Sequence, residues 1–526
     1  MYDIAIVGGG MAGMATAARL QARGLSTVVL ESHTLPGGCA GFYRRKGFSF
    51  DVGATTLVDF EADGIGGRFL QSIGVESFNA DPLPGYVAWL PDRCVVLHKD
   101  VAAWHTERLH MLGDSLRHQK FWHIMDTLAA VFWRAARRGA RLPVRDPLDA
   151  LRAIRSVGLT HLHWGRYLQW TMGDLLRAYG LRADRPLVGL LSMLIEDTVH
   201  GTIDCAPLIN SALGITIRGA GLTRARGGMR GFWKTLVDRY RALGGELRTR
   251  CAVERVENHG GGFTLHAESG KVVAHQVVSA VPASITARIA PRAVVECLAP
   301  YVRRDSQALG GAIVVCLGVE EAQVAGQTFT HHQLMHDYDR PLGDGNNMFI
   351  SASAPGDLES APAGYRSVMI STHCELCWWE GLSRDAYEEK KRVAGERLIA
   401  LARRVYPRLG ESLRVLEVAT PRTYQHFTGS PRGAVGGVRQ TLANANQHAI
   451  PHKSPLPGFW LVGDSTWPGL GTVACMIGSQ IVADGAGARA KRSRPRVFLP
   501  RIIRHHQRDC PQNPRRAAAV EVARAN

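Results

Sequence analysis

The chain has 526 residues, of which 45% are hydrophobic, and its formal net charge at pH 7 is +17. This length exceeds what a single hydrophobic core usually holds, so two or more domains are expected. The sequence has no run of eighteen apolar residues that could span a bilayer, and its ten cysteines follow no disulfide spacing, which is typical of a reducing compartment.

The first thirteen residues predict a strand, a phosphate-binding turn and the start of a helix. The apolar run that ends at Val7 is typical of a buried parallel strand, and Gly8, Gly10 and Gly13 follow it. Gly8 permits a sharp turn, Gly10 lets the backbone approach a pyrophosphate, and Gly13 lets the helix pack closely on the strand. The helix start, which includes Ala12, supplies N–H groups for the phosphates. Because the strand begins at the second residue, no secretory leader is expected.

A second strand is predicted immediately before Glu31. A carboxylate at this place can accept hydrogen bonds from both hydroxyls of an adenosine ribose, and it would repel a 2′-phosphate. Another glycine-rich turn follows at Gly37 and Gly38, and the strand after it ends in small residues that include Ala54 and Thr55. Small residues suit a place where the backbone lies against a flat ring system, and this pattern favours a flavin over a nicotinamide.

Residues 120–141 predict an amphipathic helix that has two alternative interpretations. Its apolar face carries six residues, namely Phe121, Trp122, Met125, Leu128, Phe132 and Trp133, and arginines crowd its end. This composition is typical of a helix that lies in a membrane interface, but a core helix has the same periodicity. The two interpretations differ in whether Trp122 and Trp133 are covered by protein.

Near the other end of the chain, an apolar strand leads into Gly463 and Asp464, and a helix is predicted to begin near Thr472 and Val473. Asp464 can bind the ribityl hydroxyls of a flavin nucleotide. The N–H groups at the helix start can face the negative charge that develops on the N1–C2=O edge of the ring. Because cofactor motifs stand at both ends of the chain, the cofactor domain must be discontinuous.

The segment 489–526 is strongly basic, with eleven Lys or Arg against two acids and therefore a net charge of +9 (11 − 2). Its low hydrophobicity and its prolines predict disorder. Such a tail can attract anionic lipid, or it can be a solvated extension with no partner. No aromatic-interleaved motif accompanies it, so a specific nucleic-acid partner is not expected.

Four segments carry a resemblance to a known family, namely Gly8-x-Gly10-x-x-Gly13, Pro36-Gly-Gly, Gly227-Gly-Met229 and Gly463-Asp-Ser. They resemble the flavin-dependent carotenoid desaturases and isomerases of the amine-oxidase-like superfamily. The 3,4-desaturase branch is the most similar, and this further resemblance is carried by Pro36-Gly-Gly-Cys39-Ala, the segment from Arg44 to Thr55, His331-His-Gln333, and Gly463-Asp-Ser-Thr466 followed by Pro468-Gly. The resemblance implies an α/β fold with a Rossmann-like FAD-binding domain that is discontinuous, comprising residues 1–60, 205–290 and 415–488. An inserted α+β substrate domain would comprise residues 61–204 and 291–414, and the basic tail would follow.

The resemblance also implies further contacts with FAD. In the family, the strand that here contains Val253 contacts the adenine side of the cofactor through its backbone. Many members carry an arginine directly after the Pro-Gly-Gly turn, where this chain has Cys39. Arg44 and Arg45 are the candidates that would compensate.

The implied reaction is the dehydrogenation of an acyclic carotenoid, in which one carbon gives hydride to the flavin and a neighbouring carbon loses a proton. Such a substrate needs an apolar tunnel and one proton acceptor. The candidate acceptors are Glu196, Asp197, His200 and His426, and each has an ordinary structural role as its alternative. No metal site is expected. The electrons would pass to oxygen or to a membrane quinone, with the protein on the cytoplasmic face of the cell membrane.

Three alternatives stay open. A carotenoid cis-trans isomerase would use the same frame with reduced FAD and no net oxidation, so its product would barely change the absorption of the polyene. An amine oxidase shares the fold, but its usual Gly-Glu-x-Thr segment differs from Gly463-Asp-Ser-Thr466 here. A non-catalytic escort protein that binds isoprenoids would have little reason to keep Glu31 and the flavin turn.

Overall fold

The computed structural model describes residues 1–215 and 221–493, which form fourteen α-helices and nineteen strands. The strands are β1 Tyr2–Val7, β2 Thr27–Leu30, β3 Phe42–Arg45, β4 Phe48–Asp51, β5 Leu57–Val58, β6 Ala80–Leu83, β7 Gly85–Trp89, β8 Cys94–His98, β9 Leu222–Ala225, β10 Glu246–Arg248, β11 Val253–His259, β12 Gly262–Ala267, β13 Gly270–Ser279, β14 Gly311–Glu320, β15 His331–Met335, β16 Asn347–Ala352, β17 Tyr365–Cys374, β18 Leu413–Ala419 and β19 Phe459–Leu461. The α-helices are α1 Met11–Ala22, α2 Ile65–Ser72, α3 Val101–Leu112, α4 Leu116–Arg137, α5 Pro147–Val157, α6 Met172–Ala178, α7 Arg185–Val199, α8 Leu208–Ile215, α9 Met229–Ala242, α10 Ala283–Ile289, α11 Arg292–Asp305, α12 Arg384–Ala402, α13 Pro421–Thr428 and α14 Thr472–Ser493.

A seven-stranded sheet brings both ends of the chain together. Its parallel strands have the order β10-β2-β1-β13, with β19 parallel to β13, and β12 and β11 extend it as antiparallel strands. Strand β1 lies at the centre, and its apolar residues Ile4, Ala5 and Ile6 are fully buried. Helices α1, α9 and α14 pack beside this sheet. The arrangement confirms the predicted α/β fold, because the first strand and the strand before Gly463 share one sheet.

A second seven-stranded sheet has the order β18-β14-β17-β16-β15-β7-β8, and helix α12 packs on it. The observed packing differs from two of the predicted domain boundaries. Strand β18 pairs with β14, so residues 415–419 belong to the inserted domain and the cofactor sheet resumes only at β19. Helix α8 packs on α4 and α7, so it also lies with the inserted helices. The partner of a strand or helix is a non-local property, and a local pattern does not reveal it.

Helix α4 is a core helix, which decides between the two interpretations of residues 120–141. Trp122 is 1% exposed, Phe121 is fully buried, and Trp133 is partly buried against the same core. The guanidinium of Arg108 lies 4.8 Å from the centre of the Trp122 ring and forms a salt bridge with Asp126. The membrane-interface interpretation of this face is therefore wrong, because helices of the inserted domain cover it.

Helix α14 continues to Ser493, so the first residues of the predicted tail are helical rather than disordered. The rest of that tail, residues 494–526, lies outside the described residues. Among the helices of the described part, none combines the length and the apolarity that crossing a bilayer would demand.

Candidate functional site

The first glycine-rich turn leaves the N-terminus of α1 open. The Gly37 N–H donates to the Gly9 carbonyl at 3.0 Å, which holds the two glycine-rich turns against each other. A Cβ atom on Gly13 would lie 2.1 Å from the Gly8 carbonyl oxygen, whereas one on Gly10 would meet no atom within 4 Å. No side chain caps the helix at Gly10. The helix start at Gly10 therefore has open space beside it and no side-chain cap, which leaves room for an anion at the helix N-terminus.

Glu31 stands beside this turn. Its carboxylate accepts hydrogen bonds from the N–H groups of Gly9 at 2.7 Å and His33 at 2.8 Å. The Cys251 N–H donates to the Glu31 carbonyl at 2.9 Å, and β11 begins two residues later at Val253. The structure thus places the predicted ribose-binding carboxylate, the phosphate turn and the Val253 strand next to one another.

The second glycine-rich turn leads to Cys39, which lines a cavity described below. Gly37 and Gly38 have φ values of +137° and +54°, which an L-side chain rarely adopts. The turn continues to Cys39, and the indole N–H of Trp233 donates to the Ala40 carbonyl at 2.7 Å. Burial raises the pKa of the Cys39 thiol to about 11. A neutral thiol therefore stands where many family members carry an arginine.

Arg45 does not take the place of that arginine. It is exposed on β3, and its guanidinium contacts the Glu417 carboxylate of β18 at 3.3 Å. Arg44 is exposed as well. Both arginines lie on the β3–β4 hairpin, and the ion pair with Glu417 occupies the Arg45 guanidinium.

A buried ion pair supports the segment that contains Ala54 and Thr55. Arg224 donates to the Asp51 carboxylate at 2.8 Å and to the Thr55 carbonyl at 2.9 Å. The other Asp51 oxygen accepts the N–H of Met229 at 2.7 Å, at the start of α9. Thr55 is buried and Ala54 is partly buried. This pair could not be predicted from the sequence, since nothing near Asp51 in the chain indicates a partner as distant as Arg224.

The C-terminal motif lies at the same edge of the sheet. The Val462 N–H donates to the Ser279 carbonyl at 3.0 Å, which sets Gly463 beside the end of β13. The Ser465 hydroxyl donates to the Asp464 carboxylate at 3.3 Å, and desolvation raises the pKa of that carboxyl. Thr472 begins α14, and both it and Val473 are buried.

A solvent-open cavity of about 930 Å³ lies beside the second glycine-rich turn and the C-terminal motif. Its lining includes Cys39, Gly437, Asp464, Tyr301 and Val302. Together with the open N-terminus of α1 and the Glu31 carboxylate, the donor set fits FAD. The phosphates would be held by the α1 backbone, the ribose by Glu31 and the ribityl chain by Asp464.

Two of the predicted proton acceptors belong to a polar cluster at the end of α7. The Glu196 carboxylate accepts a hydrogen bond from the Asn347 side-chain amide of β16. The Asp197 carboxylate, on an exposed residue, accepts one from the Gln333 amide of β15 at 3.2 Å. All four side chains line a small cavity of about 300 Å³ between α7 and the second sheet.

His200 ends α7 in the left-handed conformation and connects this cluster to the cofactor motifs. Its ring centre lies 4.8 Å from that of His373, and its buried Nδ1 has no hydrogen-bond partner among the described residues. A Cβ on Gly436 would lie 2.1 Å from His200 Cε1, and one on Gly437 would lie 2.9 Å from Asp464 Cβ. His200 and Asp464 therefore pack against two consecutive glycines of one loop. Burial, followed by neighbouring positive charge, lowers the pKa of His200 well below 6.5.

His426 is placed elsewhere. It is exposed on α13, where its ring packs against Phe427 with a centroid distance of 4.7 Å. It does not join the polar cluster. The contacts of His373 and of the loop at Gly436 and Gly437 with His200 and Asp464 were not predicted, although the pair of glycines is visible in the sequence.

Comparison with known proteins agrees with this geometry. The profile of the family described as flavin containing amine oxidoreductase matches residues 11–474. Prolycopene isomerase from Daucus carota is 24% identical over 502 residues, which cover 90% of this chain and 78% of that protein. The lycopene-forming phytoene desaturase of Pantoea ananas is 23% identical over 505 residues, which cover 91% and 97%. The solved structure of cyclohexylamine oxidase from Brevibacterium oxydans matches with a TM-score of 0.60 at 15% identity, covering 93% of this chain and 100% of that one, and shows the shared fold.

Proposed function

This chain belongs to the family of flavin containing amine oxidoreductases, and from that premise we propose that it is an FAD-dependent carotenoid desaturase of the 3,4 type. Family membership makes it a flavin-dependent oxidoreductase. The carotenoid substrate is supported by relatives named for prolycopene and phytoene, which align with about nine-tenths of the chain. The choice of desaturation rests on His200.

The observation that carries the proposal is a neutral imidazole beside the cofactor cavity. Dehydrogenation removes a hydride from one carbon and a proton from its neighbour, so the protein must accept one proton in a place closed to water. The Nδ1 atom of His200 is buried and without a partner among the described residues, and its lowered pKa keeps the ring neutral at pH 7. A weak base suffices, because a cation spread along a polyene makes the adjacent C–H strongly acidic.

The rest of the site would position the substrate and exclude water. When bound, FAD supplies the hydride acceptor. Asp464 and the α1 backbone would hold the cofactor, and Gly436, which has no side chain, leaves room for the His200 ring next to this loop. Glu196 and Asp197 are the alternative acceptors, but each accepts a hydrogen bond from an amide of the second sheet.

The test compares two histidine variants with FAD-loaded protein and acyclic carotenoids in detergent. His200→Gln is expected to lower the rate of desaturation by about 10²-fold or more while retaining FAD, because glutamine cannot accept the proton. His452→Gln is the matched control, since His452 is also buried and burial lowers the pKa of its ring to about 4. Equal rates for both variants would refute the assignment of His200.

The second candidate is a cis-trans isomerase, which the carrot relative favours by its name. Chromatography of the pigments separates the two functions. Desaturation lengthens the conjugated system and shifts absorption to longer wavelength, whereas isomerisation leaves the number of double bonds unchanged. Products with unchanged mass would replace desaturation with isomerisation as the function of this site.

We further propose that oxygen or a membrane quinone accepts the electrons and that the protein acts at the cytoplasmic face of the cell membrane. The hydrophobicity of the substrate supports this location. Turnover with a soluble quinone analogue under anaerobic conditions would identify a quinone as the acceptor. Turnover that stops without oxygen, even when quinone is present, would identify oxygen.

A further inference from the structure

A continuous stretch of the inserted domain exposes apolar side chains. Six of them have exposed fractions between 38% and 76%, namely Leu148, Leu151 and Ile154 of α5 and Leu159, Leu162 and Leu168 of the following 3₁₀ segment Leu159–Gln169. We call these six residues the α5 apolar surface. Single exposed leucines are ordinary on soluble proteins, but a cluster of six within 21 residues (168 − 148 + 1) marks an interaction site.

Helix α5 presents its apolar face to the outside. Leu148, Leu151 and Ile154 recur at intervals of three residues and are all exposed, whereas Ser156 is the only residue of α5 that is buried. The covered residues of α5 are mostly small or polar, such as Ala153 and Ser156, and Val157 at its last position is the apolar residue that packs against the core. In an ordinary amphipathic helix of a globular protein, the apolar face is turned toward the core and the polar face toward solvent.

The charges around this surface are mostly basic. Four exposed arginines, Arg145, Arg152, Arg155 and Arg166, accompany the six apolar residues, against Asp146 and Asp149, so the stretch has a net charge of +2 (4 − 2). Basic residues that flank exposed apolar ones are typical of helices that lie in a membrane interface, where the guanidinium groups meet lipid phosphates.

We propose that the α5 apolar surface docks onto an anionic lipid bilayer, with α5 lying parallel to the membrane plane. The six side chains would enter the boundary between headgroups and acyl chains, and the arginines would pair with phosphates. A second copy of the chain fits less well, because a two-fold contact on this surface would bring arginines of like charge together. The membrane contact would thus lie on α5 and not on α4, whose apolar face is buried.

The surface adjoins the wall of the cofactor cavity. The Arg145 guanidinium, one residue before the N-cap of α5, donates to the Tyr301 hydroxyl at 3.0 Å, and Tyr301 lines that cavity. The Val144 N–H donates to the Gln447 side chain at 2.9 Å, which fixes the same loop. Docking would thus hold the cavity wall close to the lipid from which a polyene comes. This benefit rests on the proposed function, whereas docking itself does not.

The test measures sedimentation of the full-length protein with phosphatidylcholine–phosphatidylglycerol vesicles in the absence of substrate. The triple variant Leu148→Ser, Leu151→Ser, Ile154→Ser is expected to lower the vesicle partition coefficient at least about tenfold, because each substitution removes apolar area that would leave water. The matched control is Leu358→Ser, Val393→Ser, Leu416→Ser, whose residues have similar exposed fractions of 69%, 46% and 47% but lie elsewhere. It is expected to bind vesicles as the wild type does.

Two results would overturn the proposal. One is equal vesicle binding by the wild type and the α5 variant. The other is a lipid-free dimer of the wild type that the α5 variant abolishes, since that would make a second copy the occupant. Far-ultraviolet circular dichroism and flavin content verify that each variant is folded. Desaturation measured in detergent tests the proposed function separately, and its failure would leave the vesicle result intact.

Discussion

The glycine-rich turn allows a sharp prediction, because two glycines of one motif have opposite surroundings. At Gly10 the backbone is extended, with φ at −74°, and a Cβ would meet nothing within 4 Å. At Gly13 a Cβ would lie 2.1 Å from a backbone oxygen of Gly8. We therefore expect Gly10→Val to impair cofactor binding and Gly13→Ala to impair folding.

The expected losses of stability and of FAD affinity follow from these contacts. A branched residue at Gly10 costs about 1 kcal/mol or less of apoprotein stability, as an unfavourable N-cap. It fills the space that the phosphates would occupy, and losing two charge-assisted hydrogen bonds of about 1.5–3 kcal/mol each lowers the affinity for FAD by more than about 100-fold. At Gly13 the backbone oxygen cannot move without breaking the turn, so overpacking of roughly 3 kcal/mol or more is expected.

The assay measures FAD dissociation constants by fluorescence titration, together with urea unfolding of the apoproteins. Unfolding must be compared without FAD, because a bound cofactor itself raises stability. The reasoning would be refuted if Gly10→Val bound FAD with the affinity of the wild type, or if apoprotein carrying Gly13→Ala unfolded at the same urea concentration as the wild type.

Three further predictions concern individual side chains. Glu31→Arg is expected to abolish stable FAD retention while the protein stays soluble, as measured by the visible spectrum after gel filtration, and an unchanged flavin content would contradict the ribose assignment. Asp51→Ala leaves Arg224 buried without its carboxylate and is expected to cost about 3–5 kcal/mol in urea unfolding; a loss below about 1 kcal/mol would contradict a supporting role for the pair. Burial lowers the pKa values of His332 and His452 from 6.5 to about 4. The unfolded chain therefore binds more protons between these values, and the stability that each neutral ring contributes is present above pH 6.5 and decreases as the pH falls, by about 2 kcal/mol per residue between pH 8 and pH 5. His452→Gln should reduce this loss, and an unfolding profile with the same pH dependence as the wild type would contradict it.

Much of the cofactor site could be predicted from sequence because its geometry is local. The turn from Gly8 to Gly13 and the carboxylate of Glu31 lie within one strand-helix-strand unit, and close backbone approach leaves glycine as the residue that fits. The motif after β19 is equally local. The sheet then brings the two ends together, since the carboxyl ends of parallel strands meet at one edge.

Other features depend on contacts between distant parts of the chain. The Arg45 guanidinium forms an ion pair with Glu417, which is more than 300 residues later in the chain. His200 packs against Gly436, which is more than 200 residues later in the chain, and the next residue, Gly437, packs against Asp464. No local pattern contains that information.

The helices α4 and α5 show most clearly which features the sequence determines and which depend on the tertiary structure. The periodicity of the sequence predicted that α4 is amphipathic, because hydrophobic spacing along a helix is a property of the chain itself, whereas no prediction was made for α5. Only the tertiary structure decided which apolar face is covered, since burial depends on neighbours that other segments supply. The Trp122 face of α4 is packed into the core, and the Leu148 face of α5 is exposed to solvent.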